Sequence, residues 1–512
     1  MKIEIVKTPF NEAKVPLATL VFANNLQEFP LPELQDDLLV QSYRDIVDCK
    51  EFTGESENSC YIHCCTNTKA YRLFLIGLGS SETGQPENFR LAGAKLCQLL
   101  KKANIPAIAL KFPVIKERHM KEIEDRFYAF VEGFGLRNYE FTRHRAKAEE
   151  HVVEQLSFHE ENNEYTAIME RGIKRGLIAV ECTNLCRDIA NEPSNFMTPT
   201  NFVQEATKVV EAHPNLTLKY FSDEGIKENN MGLIAGVAQS GSTPPYIIIV
   251  RYDCGDPQAK TLGLVGKGIS FDSGGISLKK PDGMLFMKRD LTGGATTLAV
   301  LKAVAEIKPA FNVVGIIGAA ENMPGAQAYK PGDILTSMAG KTVEIITTDA
   351  EGRLLLGDLF TYLQRNYVID CMVDISTLTG ATYRTLGGSV SGMVGNNPEF
   401  TALIKSCAQN VHEKFWELPL EFEYKSKVKS YFADLKNHSS SPADTIISAL
   451  FLNEFIENNL PWVHLDIAGA ETASGEPKRY YPRGATGVAV RTLIELVHQL
   501  QATQKFPDRK IS

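Results

Sequence analysis

No apolar run in this 512-residue chain approaches the roughly 18 residues of a membrane-spanning helix, so no membrane segment is expected. The opening stretch, MKIEIVK, is strand-like and lacks the apolar core of a secretory signal, which argues against export. Cysteine is sparse: ten residues, with no pair of CxxC units to hold zinc and no spacing that suggests a secreted disulfide framework. Reduced, mostly buried thiols in a cytoplasmic protein are the expectation. The ten histidines show neither an HExxH nor an HxH spacing, which leaves a histidine-based metal site little support. There is no arginine-rich segment, no internal repeat and no low-complexity tract. With a formal net charge of −8, nucleic acid is not expected as a main partner.

What is present is ordinary globular composition, 44% hydrophobic and 23% charged, in a chain longer than one core usually sustains. Strand-like runs at 18–24, 71–79 and 106–112, with a helix-like segment at 88–103, predict a small α/β domain over residues 1–160. The charge-rich stretch HRAKAEEHVVEQ (144–155) reads as a solvated face, and GLGSSETG (77–84) as a turn rather than a phosphate loop. Apolar positions from Ile168 to Ile189 predict a connecting helix within 161–195, closed by Pro193 and Pro199. Residues 196–512 alternate more strongly. Strands are expected at 245–251, 261–265, 312–318, 342–346, 370–376 and 462–467, and helices near 295–307, 353–365, 443–457 and 486–501. Several of these strands are continuously apolar, as in a sheet covered on both faces. The fold class is α/β: a small N-terminal domain, then a larger catalytic domain whose mixed, mostly parallel sheet is flanked by helices.

Three charged stretches interrupt this apolar pattern. TTDAEGRLLLGD (347–358) places Asp349, Glu351 and Arg353 at a strand-to-helix turn, where open α/β sheets site their ligands. Helix capping would account for one carboxylate there, but not for two with an arginine. VGKGISFDSGG follows the strand at 261–265 and delivers Lys267 and Asp272; KKPDGMLFMKRDLTGG adds Lys279 and Asp290. Clustered hard oxygen donors without cysteine suit a divalent cation site.

These stretches resemble the signatures of the leucyl aminopeptidase family of dinuclear metallopeptidases. The resemblance runs on through NEPSNFMTPTNF (191–202), ENMPGAQAYKPGD (321–333), STLTGA (376–381), HLDIAGA (464–470) and RGATG (483–487). It implies an aminopeptidase that removes Leu and other N-terminal residues from peptides and dipeptides. It also implies two divalent metal ions per subunit (Zn or Mn, with Mg or Co as alternatives), a homohexamer and a cytoplasmic location. By the same resemblance Asp272 and Glu351 bridge the metals, Lys267 and Asp290 complete one metal, and Asp349 the other. Lys279 would polarise the scissile carbonyl, and Arg353 would hold bicarbonate as general base. Leu378 and Gly380 would orient the substrate, and Met287 and Ala468 would line the pocket for its first side chain. A metal-binding lysine must be neutral, which two adjacent dications would favour.

The chain departs from the family pattern at Thr347, where Asn is usual, and at Glu471, where the pocket position is usually apolar or small. Glu471 is expected either to meet a Lys or Arg substrate side chain, or to turn to solvent or to Lys478 or Arg479. A DNA-binding architectural role and an idle scaffold are the rival readings. The acidic charge opposes the first and the complete ligand set the second.

Overall fold

A computed structural model describes residues 1–509, apart from 35, 66–69, 82–84, 114–119, 147–151, 162, 441 and 474–478. Parts of two sequence stretches, 82–84 of GLGSSETG and 147–151 of the charge-rich segment, therefore lie outside the described residues, as does Lys478. The chain divides into two compact units, 1–181 with 475–483, and 182–474 with 484–512.

In the first unit, six strands form one sheet: β1 (Lys2–Val6), β2 (Leu17–Val21), β3 (Ser59–Cys65), β4 (Ala70–Gly77), β5 (Ala107–Lys111) and β6 (Gln155–His159). Their order is β1-β6-β5-β2-β4-β3, parallel throughout except for β3, which runs antiparallel to β4. The long helix Asn163–Asn191 lies in the first unit up to Glu181 and in the second from Cys182.

The second unit holds an eight-stranded sheet. Its strands are β7 (Leu216–Phe221), β8 (Tyr246–Tyr252), β9 (Thr261–Asp272), β10 (Asn312–Asn322), β13 (Cys371–Ser376), β14 (Ser391–Gly395), β15 (Phe415–Glu417) and β17 (Trp462–Asp466). The order is β15-β14-β17-β13-β9-β10-β8-β7, with β17, β13, β9 and β10 parallel at the centre. Those central strands are almost entirely buried, as a sheet covered on both faces requires. A separate small sheet comprises β11 (Ile334–Thr336), β12 (Thr342–Glu344) and β16 (Leu435–Lys436).

Two expectations change. The strand expected at 261–265 continues to Asp272, because β10 pairs with it across a bulge at Ala320/Glu321 as far as Asn322. Lys267 and Asp272 thus lie on the strand itself. The segment expected as a strand at 342–346 is β12, which pairs with β11 and β16 and takes no place in the central sheet. Its polar flanks, Lys341 and Thr347, mark a short strand over a loop rather than a run buried on both faces.

Candidate metal centre

Lys267 lies midway along β9, and its side chain crosses Gly352 closely. A Cβ at 352 would fall 2.8 Å from Lys267 Nζ, so only glycine leaves the amine room. The strand ends at Asp272, whose Oδ1 accepts from Gly274 N–H (2.9 Å) and Asn322 Nδ2 (2.8 Å). Gly274 and Gly275 then adopt positive φ (86° and 63°), turning the chain so that Lys279 N–H reaches Ser273 C=O at 2.9 Å. That turn returns Lys279 Nζ to 2.7 Å from Asp272 Oδ2 and into contact with Asp349.

Asp290 closes the 3-10 turn Met287–Arg289, and its Oδ1 accepts from Thr377 Oγ1 at 2.6 Å. Lys267 Nζ sits 2.7 Å from Glu351 Oε1 and 2.9 Å from Asp290 Oδ2, and donates to Thr377 C=O at 3.1 Å. Glu351 is the first residue of the helix Glu351–Asn366. Thr348 ties the preceding loop to the glycine turn, since its Oγ1 accepts from Ser277 N–H (2.8 Å) and donates to Gly274 C=O (2.5 Å). Thr347 Oγ1 accepts from Asp349 N–H at 3.3 Å, a local turn that steadies the carboxylate.

The structure thus gathers Lys267, Asp272, Lys279, Asp290, Asp349 and Glu351 into one cluster, in which two ammonium groups face four carboxylates. All are buried except Lys279, which is half-buried, and Asp349, whose side chain is 36% exposed. Burial opposes charge on Lys267, but Asp290, Glu351 and Asp272 outweigh it and hold the ammonium above the ordinary lysine value. The same opposition resolves the same way for Lys279, beside Asp272, Glu351 and Asp349. Burial pushes the Asp290 carboxyl up to about 7 and, with Asp272 nearby, Asp349 up to about 6. Burial and then Glu351 raise Asp272, whereas Lys267 and Lys279 overcome burial at Glu351 and lower it.

A cation fits this donor set. Asp272, Asp290 and Glu351 each present an oxygen within 4.8 Å of the others. Asp290 Oδ2 lies close to Lys267 Nζ, yet among the described residues it accepts no hydrogen bond of sound geometry, and it is fully buried. Hard oxygen donors, excess negative charge and one unsatisfied oxygen together describe a site for a divalent ion.

The remaining sequence-predicted residues surround this cluster. Arg353 is buried on the first turn of its helix and donates through Nη1 to Asn437 C=O at 2.9 Å. Leu378 N–H and Ala468 N–H both donate to Asp466 Oδ1, at 3.1 and 3.2 Å. Gly380 opens the helix Gly380–Leu386, capped by Thr379, whose hydroxyl bonds Asp466 Oδ2 at 2.7 Å. Met287 is half-buried in its 3-10 turn. Glu471 is engaged by its own turn: its Oε2 accepts from Gly469 N–H and its Oε1 from Thr472 Oγ1 at 3.2 Å. Arg479 instead lies 3.8 Å from Glu87. Asp466, Asn322, Thr348 and Thr377 do not stand out in the sequence. Asp466 and Asn322 end apolar strands inside quoted motifs, and a polar residue ending an apolar strand is the signal that marks them.

A buried carboxylate cluster at the strand ends of an α/β sheet defines a metal-dependent hydrolase centre when taken with the relatives the chain matches. The catalytic-domain model of the cytosol aminopeptidase family matches residues 184–494, and the N-terminal-domain model of that family matches residues 20–148. A probable cytosol aminopeptidase of Alkaliphilus metalliredigens is 37% identical over 462 residues, covering 90% of this chain and 91% of its own. One from Alkaliphilus oremlandii is 34% identical over 510 residues, covering 98% and 100%. Among solved structures, a point mutant of tomato leucine aminopeptidase aligns with a TM-score of 0.86 at 29% identity, covering 98% of this chain and 96% of that one. The bottromycin maturation enzyme BotP in complex with Mn aligns with a TM-score of 0.82 at 27% identity, covering 96% and 100%. The chain belongs to the cytosol aminopeptidase (M17, leucyl aminopeptidase) family. It is a metal-dependent aminopeptidase, a hydrolase that acts on the N-terminal residue of peptides. No helix among the described residues is long and apolar enough to cross a membrane.

Proposed function

We propose that Asp272 and Glu351 hold two divalent cations between them, with Lys267 and Asp290 completing one and Asp349 the other. The buried oxygen of Asp290 that lacks a hydrogen bond carries this reading, because it belongs to four carboxylates that two ammonium groups leave in excess, and divalent cations would offset that excess. Lys267 would join as the neutral amine, its proton displaced by the incoming charge. Bound cations would polarise the scissile carbonyl and acidify a water. Zinc or manganese is the preferred pair, with magnesium and cobalt as alternatives.

The chain's own residues then set the specificity. Lys279 reaches the cluster as a cation, and in this reading it polarises the scissile carbonyl oxygen. Asp290 accepts from the free α-amino group. Leu378 and Gly380 orient the peptide through backbone groups, Leu378 by its carbonyl because its N–H is already engaged by Asp466. Met287 and Ala468 line the pocket for the first side chain, and Glu471 braces the wall that carries Ala468. Arg353 anchors an oxyanion, for which bicarbonate is the external candidate. We read 1–160 as an N-terminal domain, 161–195 as the connecting helix and 196–512 as the catalytic domain, in a cytosolic homohexamer. Family resemblance supports the assembly and the location, and sedimentation would test the assembly.

The deciding experiment pairs elemental analysis with turnover. About two divalent ions per chain are expected, with activity lost on exhaustive chelation and restored by zinc, manganese, cobalt or magnesium. Peptides with an acetylated N-terminus should react slower by several orders of magnitude, because the groups built for the amine lose their partner (on the order of 10⁴). Equal cleavage of free and acetylated peptides would rule out the amine-binding role of Asp290.

A further inference from the structure

Asp466 is the last residue of β17, and its partner across the ladder is Ser376, the last residue of β13. The two strands are parallel, so they leave the sheet side by side at one edge, and Ile467 N–H still donates to Ser376 C=O at 2.9 Å. One exit leads to Leu378 and Gly380, the other to Ala468. A side chain at the end of either strand can therefore reach both loops.

Asp466 does so. Its Oδ1 accepts from Leu378 N–H at 3.1 Å in one loop and from Ala468 N–H at 3.2 Å in the other. Its Oδ2 accepts from Thr379 N–H at 3.2 Å and from the hydroxyls of Thr379 and Thr382, each at 2.7 Å. Thr445 Oγ1 stands 2.9 Å from both of those hydroxyls. Thr379 and Thr382 give their protons to Asp466, which leaves Thr445 to supply the proton shared among the threonines. The two loops also touch directly: a Cβ at Gly469 would fall 2.6 Å from Tyr383 Cδ2, on the helix that Gly380 opens. Asp466 is fully buried, and a carboxylate buried among neutral donors is costly. What it sets here is the spacing between the two loops.

We propose that Asp466 is a positioning residue that fixes the distance between the peptide-orienting loop at Leu378 and Gly380 and the pocket wall at Ala468, and so sets which first side chains are cleaved well. The proposal rests on reading Leu378, Gly380 and Ala468 as substrate contacts. Leu378 presents its carbonyl because Asp466 holds its N–H, and the same oxygen holds the N–H of Ala468. Moving that oxygen shifts the scissile bond relative to the pocket, and a misplacement of about 1 Å can cost about 10²-fold in rate.

The test separates reach from charge, using the metal-loaded enzyme and kcat/KM for Leu and Ala substrates. Asp466→Asn keeps the reach, since its amide oxygen can accept from Leu378 and Ala468 while its nitrogen donates to threonine hydroxyls turned round. The Leu-to-Ala ratio should stay within about twofold of wild type, with kcat lower by roughly threefold as Thr379 N–H is held less well. Asp466→Glu keeps the carboxylate but moves it by one methylene. The ratio should fall by at least about fivefold and kcat by about tenfold or more, with metal content unchanged. Asp466→Ser, too short to hold both loops, should lower the ratio likewise and serves where the longer side chain blocks folding. The ratio does not depend on the fraction of enzyme that folds, so a purely structural role would leave it unmoved in every variant. Ala468→Val narrows the proposed pocket and should lower the same ratio, which checks the pocket reading itself. Asp466→Glu and Asp466→Ser enzymes as selective as wild type, or an Asp466→Asn enzyme shifted as far as they are, would overturn the proposal. An unmoved ratio in Ala468→Val would instead defeat the pocket reading, and the proposal with it.

Discussion

Two buried ionic clusters in this chain pair cations with carboxylates and have opposite characters. In the first unit Arg90 faces Glu87 and Glu132; in the second, Lys267 and Lys279 face four carboxylates. Arg479, at 3.8 Å, is a further and exposed cation beside Glu87. The Arg90 cluster is built on two helices, Pro86–Lys102 and Met120–Asn138, and its carboxylates are closed by hydrogen bonds. Glu132 accepts from Arg90 Nε and, at 2.8 Å, from Tyr128 Oη; Glu87 accepts from Arg90 Nη1 and, at 3.4 Å, from Tyr480 Oη. The Lys267 cluster is built on a strand end and three turns, and it leaves Asp290 Oδ2 without a sound hydrogen bond. Burial of ion pairs therefore does not by itself separate a structural cluster from a functional one. Hydrogen-bond closure does, because a buried oxygen left over is costly unless something else comes to it.

Breaking each cluster should separate stability from activity, and this is the largest effect expected. Glu132→Ala leaves a buried guanidinium short of its main partner and should cost about 3–5 kcal/mol, read by denaturant unfolding. The enzyme that remains folded should keep its kcat and its metal content. Glu351→Ala should instead lower kcat/KM by roughly three orders of magnitude or more, with metal content falling and the fold retained. The contrast collapses if Glu132→Ala sheds metal while Glu351→Ala keeps it.

A smaller effect has opposite signs in the two clusters. Asp290→Asn removes one of several mutually repelling carboxylates while Thr377 can still donate to the amide oxygen. The metal-free protein should become more stable, by about 1–2 kcal/mol, although metal affinity falls. Glu132→Gln, at a carboxylate that is already closed, should destabilise. Paired unfolding curves in chelator give both signs, and a destabilised Asp290→Asn would mean the Lys267 cluster is already satisfied without metal.

The sequence shows the charged half of this contrast more clearly than the closed half. Lys267, Asp272, Lys279, Asp290, Asp349 and Glu351 stand out because ionic residues at the ends of apolar segments are costly to bury without a reason. Arg90 and Glu132 fall within helical periodicity among other charges, where a solvated face is the ordinary reading. Central strands are legible as apolar runs, but the edge strands β3, β7 and β15, and β14 beside β15, carry no such run and are not expected from it. Lys267 and Asp272 read as following their strand, since polar residues argue locally against a strand buried on both faces. Only the pairing with β10 overrides that.

Glu471 gives the smallest effect and asks whether a carboxylate at the proposed pocket wall is closed or open. Its position suggests a partner for a Lys or Arg substrate side chain, but both oxygens accept from the chain itself, from Gly469 N–H and Thr472 Oγ1. Thr472 Oγ1 in turn accepts from Arg289 Nη1 at 2.5 Å, so a cation already stands beside the carboxylate. Burial raises the Glu471 pKa, against which these bonds and Arg289 work. A substrate ammonium would have to approach an oxygen already in use, with a guanidinium of like charge nearby. Glu471 thus resembles Glu132 more than Asp290, a closed group whose part is to hold the turn carrying Ala468. Glu471→Gln keeps an acceptor for Gly469 N–H, and should change the ratio of kcat/KM for Lys over Leu substrates by less than about threefold. Glu471→Met removes that acceptor, leaves the Gly469 N–H unmatched, and should slow Lys, Arg, Leu and Met substrates alike. A tenfold or greater fall in the Lys-to-Leu ratio for Glu471→Gln, on the order expected for losing a partly desolvated charge pair, would place the carboxylate in the open class.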